Sequence, residues 1–138
     1  MLNSRIVRPA LALLTVAAIG ACSRQSVSTT SSPTAARPFT AAMVAQGDSI
    51  FHARGCKNCH GPDGKGAENG PNLTDATYLH VDGTFPSYVA LITSGVPVTE
   101  IKDPSHKRAM SARGGRPTPL SDDEIKSVAA YVFTLSHH

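Results

Sequence analysis

Apolar positions along this chain form one short N-terminal run, then a gap, then a series of helical stripes. Pro9 to Ile19 is apolar except for Thr15, with Arg5 and Arg8 ahead of it. Ser23 to Pro38 is rich in Ser, Thr, Ala and Pro, carries only Arg24 and Arg37 as charges, and has no periodic pattern. From Phe39 onward the period is that of a helix. Val44, Gly47, Ile50 and Phe51 share a face, which predicts a helix capped by Thr40 that runs to about Arg54 and stops at Gly55. Thr74 predicts a short helix through Leu79, and Thr84 another, with Pro86 in its first turn and Gly95 just past its end. The last stripe is Ile125, Val128, Ala129, Val132 and Leu135, and Ser121-Asp122-Asp123-Glu124 ahead of it reads as a capping box. Between these, Pro62 to Pro71 and Val96 to Pro119 are rich in Gly and Pro and read as loops. No segment alternates as a strand would, so the expectation is an all-α domain.

The short apolar run is too short to span a bilayer and has the charged start of an export signal, so residues 1–21 are expected to be removed. Arg5 and Arg8 are not adjacent, so there is no twin-arginine pair. Residues 22–38 are then a flexible tether and 39–138 one folded domain. The run ends at Ile19-Gly20-Ala21-Cys22, which resembles the lipobox of bacterial lipoproteins. That resemblance implies lipidation of Cys22 and a membrane-anchored protein on the periplasmic side. Ordinary cleavage near Ala21, with Cys22 left as a free thiol, is the plainer alternative. Without the first 21 residues the formal charge of +3 falls to about +1, which makes no case for nucleic acid as a partner. The domain has seven aromatic side chains, Phe39, Phe51, Phe85, Phe133, Tyr78, Tyr88 and Tyr131, and no tryptophan. So few large apolar groups make a thin core, which a bulky apolar cofactor could complete.

Cys56-Lys57-Asn58-Cys59-His60 has the spacing for covalent attachment of haem c. Two thiols three positions apart can reach the two vinyl groups on one porphyrin edge, and the adjacent imidazole then lies against a ring face where it can bind iron. It must do so as the neutral tautomer, with its other nitrogen donating a hydrogen bond. Two other chemistries use paired cysteines. A thiol–disulfide centre expects a βαβ pattern, and a zinc site expects a second ligand pair; neither pattern is present. The three cysteines are all used if two form thioethers and Cys22 carries lipid.

Together these residues resemble the class I cytochromes c over about residues 40–136, and most closely the small bacterial domains found free, as lipoproteins, or fused to oxidases and dehydrogenases. Gly47 and Phe51 match the first-helix pair that packs on the last helix, and Val128 and Tyr131 the pair facing it. Gly70-Pro71-Asn72-Leu73 matches the segment whose proline carbonyl orients the iron-binding histidine. The resemblance implies a cytochrome c fold, with three main helices and a short one around one covalent haem c. It implies that Pro71 orients His60, and that Met110, in the loop before the last helix, is the sixth ligand. Relatives usually place Pro after that methionine, whereas Ser111 stands here. His106, four residues earlier, is the rival ligand. Met43 is read as packing, His52 as exposed, and Lys57 and Asn58 as facing outward. His80 ends the short second helix, and His137 and His138 end the last. Arg113, Arg116 and Tyr78 are candidates to bond the haem propionates, the arginines alternatively lying in a solvated loop.

The function implied is transfer of single electrons, as a free carrier monomeric by itself or as the electron-transfer subunit of a larger oxidoreductase. The partners are redox proteins or a membrane oxidoreductase or terminal oxidase. The alternative is a haem enzyme or gas sensor whose sixth site is open or histidine-ligated. Because the core is thin, the double substitution Cys56→Ser with Cys59→Ser is expected to yield a haem-free, poorly folded chain. Haem staining after denaturing electrophoresis and thermal melting check this; a haem-free variant that melts cooperatively like the native domain would contradict it.

Overall fold

A computed structural model describes residues 37–138. The signal, most of the tether and Cys22 lie outside the described residues. Three main helices form, as the periodicity predicts: α1 (Ala41–Ala53), α3 (Phe85–Ser94) and α4 (Asp122–Ser136), with a one-turn helix α2 (Lys57–His60) and a 3₁₀ turn at Val98–Glu100. Among the described residues there is no strand, only isolated bridges between Ala67 and Gly70 and between Val96 and Met110. No described helix is long and apolar enough to cross a membrane.

Each main helix starts where its side-chain chemistry says it should. The Met43 N–H donates to Thr40 Oγ1 at the head of α1 (3.2 Å). At α4 the Glu124 N–H donates to Ser121 Oγ (3.3 Å) while the Ser121 N–H donates to Glu124 Oε2 (2.8 Å), a reciprocal box that satisfies two N–H groups lacking helical partners. Ahead of α3 the arrangement differs from the simple cap expected of Thr84. Thr84 offers no side-chain cap; instead Asp82 Oδ1 accepts from the Thr84 N–H (2.8 Å) and hydroxyl (2.6 Å).

The short helix expected at Thr74–Leu79 does not form; the short helical turn of this fold is α2. Asn72 Oδ1 accepts from both the N–H and the hydroxyl of Thr74 (2.8 Å each), and Asp75 Oδ1 accepts from the Thr77 N–H (2.9 Å). These local side-chain bonds offer the backbone donors an alternative to helical carbonyls, and the segment takes successive turns.

Helix α4 is the spine: α1 and α3 both pack on it. The α1–α4 crossing is close because Gly47 has no side chain. A Cβ there would run into the Ser127 carbonyl and stand 2.8 Å from Tyr131 Cβ. The core holds Ile50 and Phe51 of α1, Tyr88 and Ile92 of α3, Leu120, and Ile125, Val128, Ala129 and Val132 of α4. Phe39, just ahead of α1, packs on Phe85 and Phe133 with ring centres 5.0 and 5.4 Å away.

Two outcomes follow from these contacts. Gly47→Ala should destabilise the holoprotein by about 1–3 kcal/mol, the usual range for overpacking, because the obstacle is backbone and cannot turn aside. Denaturant titration reads this, and a midpoint indistinguishable from wild type would show that the helices separate without strain. The second concerns acid. The Ser87 and Thr84 hydroxyls and the Thr84 N–H around its carboxylate pull Asp82 from 3.8 down to about 2. A depressed carboxylate contributes stability that is whole above its unfolded value and is lost as pH falls through the folded one. Melting temperatures of wild type and Asp82→Asn should therefore converge as pH drops from about 4 to about 2; a constant difference across that window would contradict it.

Candidate haem site

Helix α1 ends at Arg54, and the left-handed Gly55 (φ 93°) redirects the chain into Cys56. The Cys59 and His60 N–H groups both donate to the Cys56 carbonyl (3.2 and 3.1 Å), so the five-residue motif is wound into one helical turn. That winding brings Cys56, Cys59 and His60 to the wall of a single cavity. The following loop then folds back: the Gly66 N–H donates to the His60 carbonyl (2.8 Å), and Gly70 lies so close that a Cβ would stand 2.8 Å from the Cys59 carbonyl oxygen. This brings the Pro71 carbonyl to 3.1 Å from His60 Nδ1. A carbonyl only accepts, so Nδ1 carries the proton and Nε2 is left with its lone pair free. Burial lowers the pKa of His60, against the opposing pull of the Pro71 carbonyl, which favours the neutral ring.

The cavity has a volume of about 550 Å³, within the range of about 300–1,000 Å³ usual for cofactor sites. Its walls are mostly apolar, with Phe51 from α1, Tyr88, Leu91 and Ile92 from α3, Val128 and Val132 from α4, and Leu73, Val96 and Leu120 from the loops. Met110 faces it from the loop before α4, as does His106, whose Nδ1 lies 3.5 Å from Asp103 Oδ2. Two thiols, a neutral imidazole, a thioether and an apolar wall on one cavity form a donor set that fits haem c. They fit the rival chemistries poorly. Burial pushes the Cys56 thiol up, the reverse of what a reactive thiol needs. No cluster of three or more His, Cys, Asp or Glu able to hold a metal ion exists among the described residues.

A family model described as Cytochrome c matches residues 44–136. The chain belongs to the cytochrome c family. Its cofactor is covalently attached haem c, and its chemistry is electron transfer. Over 93 residues this cytochrome is 36% identical to the subunit CcoP of the cbb3-type cytochrome c oxidase of Rubrivivax gelatinosus, a match that covers 67% of this chain and 26% of that one. The chain thus spans about a quarter of the length of that relative. Cytochrome cL from the marine methylotroph Methylophaga aminisulfidivorans is also similar, at 26% identity and a TM-score of 0.46, covering 66% of this chain and 53% of that one.

Some side chains lie where this cytochrome's sequence leads one to expect, and others do not. Arg113 neither faces the cavity nor lies loose in solvent; its Nε donates to the Leu120 carbonyl (3.0 Å) and its Nη2 to Asp122 Oδ1 (2.6 Å). Arg116 and Tyr78 do line the cavity. Lys57 and Asn58 are exposed, with Asn58 on the cavity rim. His52 is only partly exposed, since its ring bridges the Asp48 and Pro62 carbonyls (2.9 Å each) and ties α1 to the loop after His60. Met43 is half-buried on α1 and takes no part in the cavity.

The sequence reading assigns Arg54 no role. Its side chain donates to the Arg116 carbonyl (3.0 Å), to the Thr118 carbonyl (2.8 Å) and hydroxyl (3.2 Å), and to Glu124 Oε1 (2.9 Å). These partners are more than 60 positions away in the chain, so no local pattern could flag them.

Proposed function

We propose that this cytochrome is an exported, membrane-anchored electron carrier whose Cys56 and Cys59 hold the haem by thioethers and whose His60 and Met110 are the axial ligands, with Pro71 orienting His60. The observation that carries the reading is the meeting of Cys56, Cys59, His60 and Met110 on one apolar cavity, together with the 3.1 Å contact from His60 Nδ1 to the Pro71 carbonyl. The signal at residues 1–21, lipid on Cys22 and a tether over 22–38 belong to the same proposal and rest on the sequence. The domain is 39–138.

The haem supplies the one-electron change between ferric and ferrous iron. The chain supplies the rest. The Pro71 carbonyl holds the proton on Nδ1, which keeps Nε2 basic and the ring in one orientation. The Met110 thioether would, as a ligand, favour ferrous iron and raise the reduction potential. The apolar walls exclude water. With His60 and Met110 as the residues that would hold the iron, the same side chains would serve both redox states, and the haem would exchange electrons at the cavity edge bearing Cys56 and Cys59. The likeness to a cbb3 oxidase subunit supports a terminal oxidase as the partner, with this chain as a free carrier or as a subunit.

A second reading draws on the place of His106 on the same cavity wall. In it the sixth position is taken by His106, or stands open for a gas or substrate. The ferric spectrum and carbon monoxide binding of the reduced holoprotein separate the two. Met110 ligation predicts a far-red iron–sulfur band and slow carbon monoxide binding in wild type and in His106→Ala. Met110→Ala should lose the band and bind carbon monoxide readily. A wild-type protein with no such band and rapid carbon monoxide binding would overturn the carrier reading, and a protein altered by His106→Ala but not by Met110→Ala would give the ligand role to His106.

A further inference from the structure

We infer that Arg54 and Arg113 are positioning residues that clasp the segment after Met110 and so hold the methionine sulfur in place. The inference rests on the reading of Met110 as the sixth ligand. A proline after the methionine would lock one backbone angle at that point, whereas Ser111 leaves it free. Hydrogen bonds at Met110 and after it take over that restraint.

Met110 itself is paired with Val96: its N–H donates to the Val96 carbonyl (2.9 Å) and its carbonyl accepts from the Val96 N–H (2.8 Å). On the downstream side the Ser111 carbonyl accepts from the Gly114 N–H (3.1 Å), and Arg113 makes the long-range bonds. Its N–H donates to the Ile92 carbonyl in the last turns of α3 (2.8 Å), and its carbonyl accepts from the Leu120 N–H (2.9 Å). Its Nε returns to the Leu120 carbonyl (3.0 Å), so backbone and side chain of one residue close both ends of the 113–120 loop. Arg113 does this at φ 56°, a left-handed conformation costly for a residue with a Cβ. Leu120, the other end of the loop, is 1% exposed and cannot shift without opening the core.

Arg54, which also lines the cavity, bonds the same loop. Its guanidinium spans the Arg116 and Thr118 carbonyls, and its own carbonyl accepts from the Arg116 N–H (3.1 Å). The same guanidinium reaches Glu124 in the first turn of α4. The end of α1, two residues before Cys56, is thereby joined to the loop that follows Met110 and to the start of α4. Charge-assisted bonds of this kind are roughly twice as strong as neutral ones. They also need the planar fork of arginine: a lysine ammonium keeps the charge but cannot span several acceptors in one plane.

The test uses holoprotein and reads the far-red ferric iron–sulfur band and the rate of carbon monoxide binding to the reduced form, with helix content and melting temperature followed alongside. Wild type and Met110→Ala come first. If wild type has no band and Met110→Ala changes nothing, the ligation reading fails and this inference fails with it. Where the band is present, Arg113→Gly permits the left-handed backbone and removes the side-chain bonds. It should weaken the band and speed carbon monoxide binding by about tenfold or more, the effect of losing one or two charge-assisted bonds. Arg54→Gln should do the same, and Arg54→Lys should be intermediate. Should Arg54→Gln yield no holoprotein, Arg113→Gly and Arg54→Lys decide. Variants that melt earlier yet keep the wild-type band and carbon monoxide rate would overturn the inference, because a clasp that only stabilises the fold would act in that way.

Discussion

The approach of α1 to α4 at Gly47 is the constraint on which the other parts depend. With no Cβ at this position, the Ser127 carbonyl and the Tyr131 side chain come up against the α1 backbone. The crossing places the end of α1, and with it Cys56, against the cavity wall. It also places the start of α4, which its capping box fixes in the chain, beside the end of α1. Arg54 and Glu124 meet at 2.9 Å because these two helix ends have been brought together. The ion pair is a consequence of the crossing, and its partners are partly exposed, so its own contribution to stability is small. What it does is register one end of the site against the other.

Within that frame the two sides of the haem site are held by different devices. On the histidine side the restraint is local. A single turn winds the attachment motif, glycines let the next loop press against it, and the Pro71 carbonyl reaches Nδ1 from eleven positions away. On the methionine side nothing local suffices. Met110 is held by pairing to Val96 across the loop and by bonds that reach α3, α4 and the end of α1. The histidine side is thus held by contacts close in the chain, and the methionine side by contacts distant in it.

Much of the fold was legible because amphipathic helices and their caps are written in local spacing. The stripes of α1 and α4, the box at Ser121 and Glu124, and Gly95 after α3 all appear as they read. The Thr74–Leu79 segment did not, because Asn72 and Asp75 spend their side-chain oxygens on nearby N–H groups, and a helix start and a run of turns use the same residue types. The place of Arg113 is not legible for a related reason: an arginine in a Gly-rich loop has no local sign of whether it faces solvent, cofactor or backbone.

By itself, then, the sequence determined the chemistry that lies in consecutive or periodic positions: the haem attachment turn, the helices and their caps, the candidate methionine and the family. Its physical basis is short range, since thioether spacing, helical period and capping depend on residues within a few positions of one another. Only the tertiary structure decided how His60, Pro71 and Met110 meet on one cavity and how Arg54 reaches a loop more than 60 positions away. Those relations depend on how closely the helices cross, and that distance is set by packing across the whole domain.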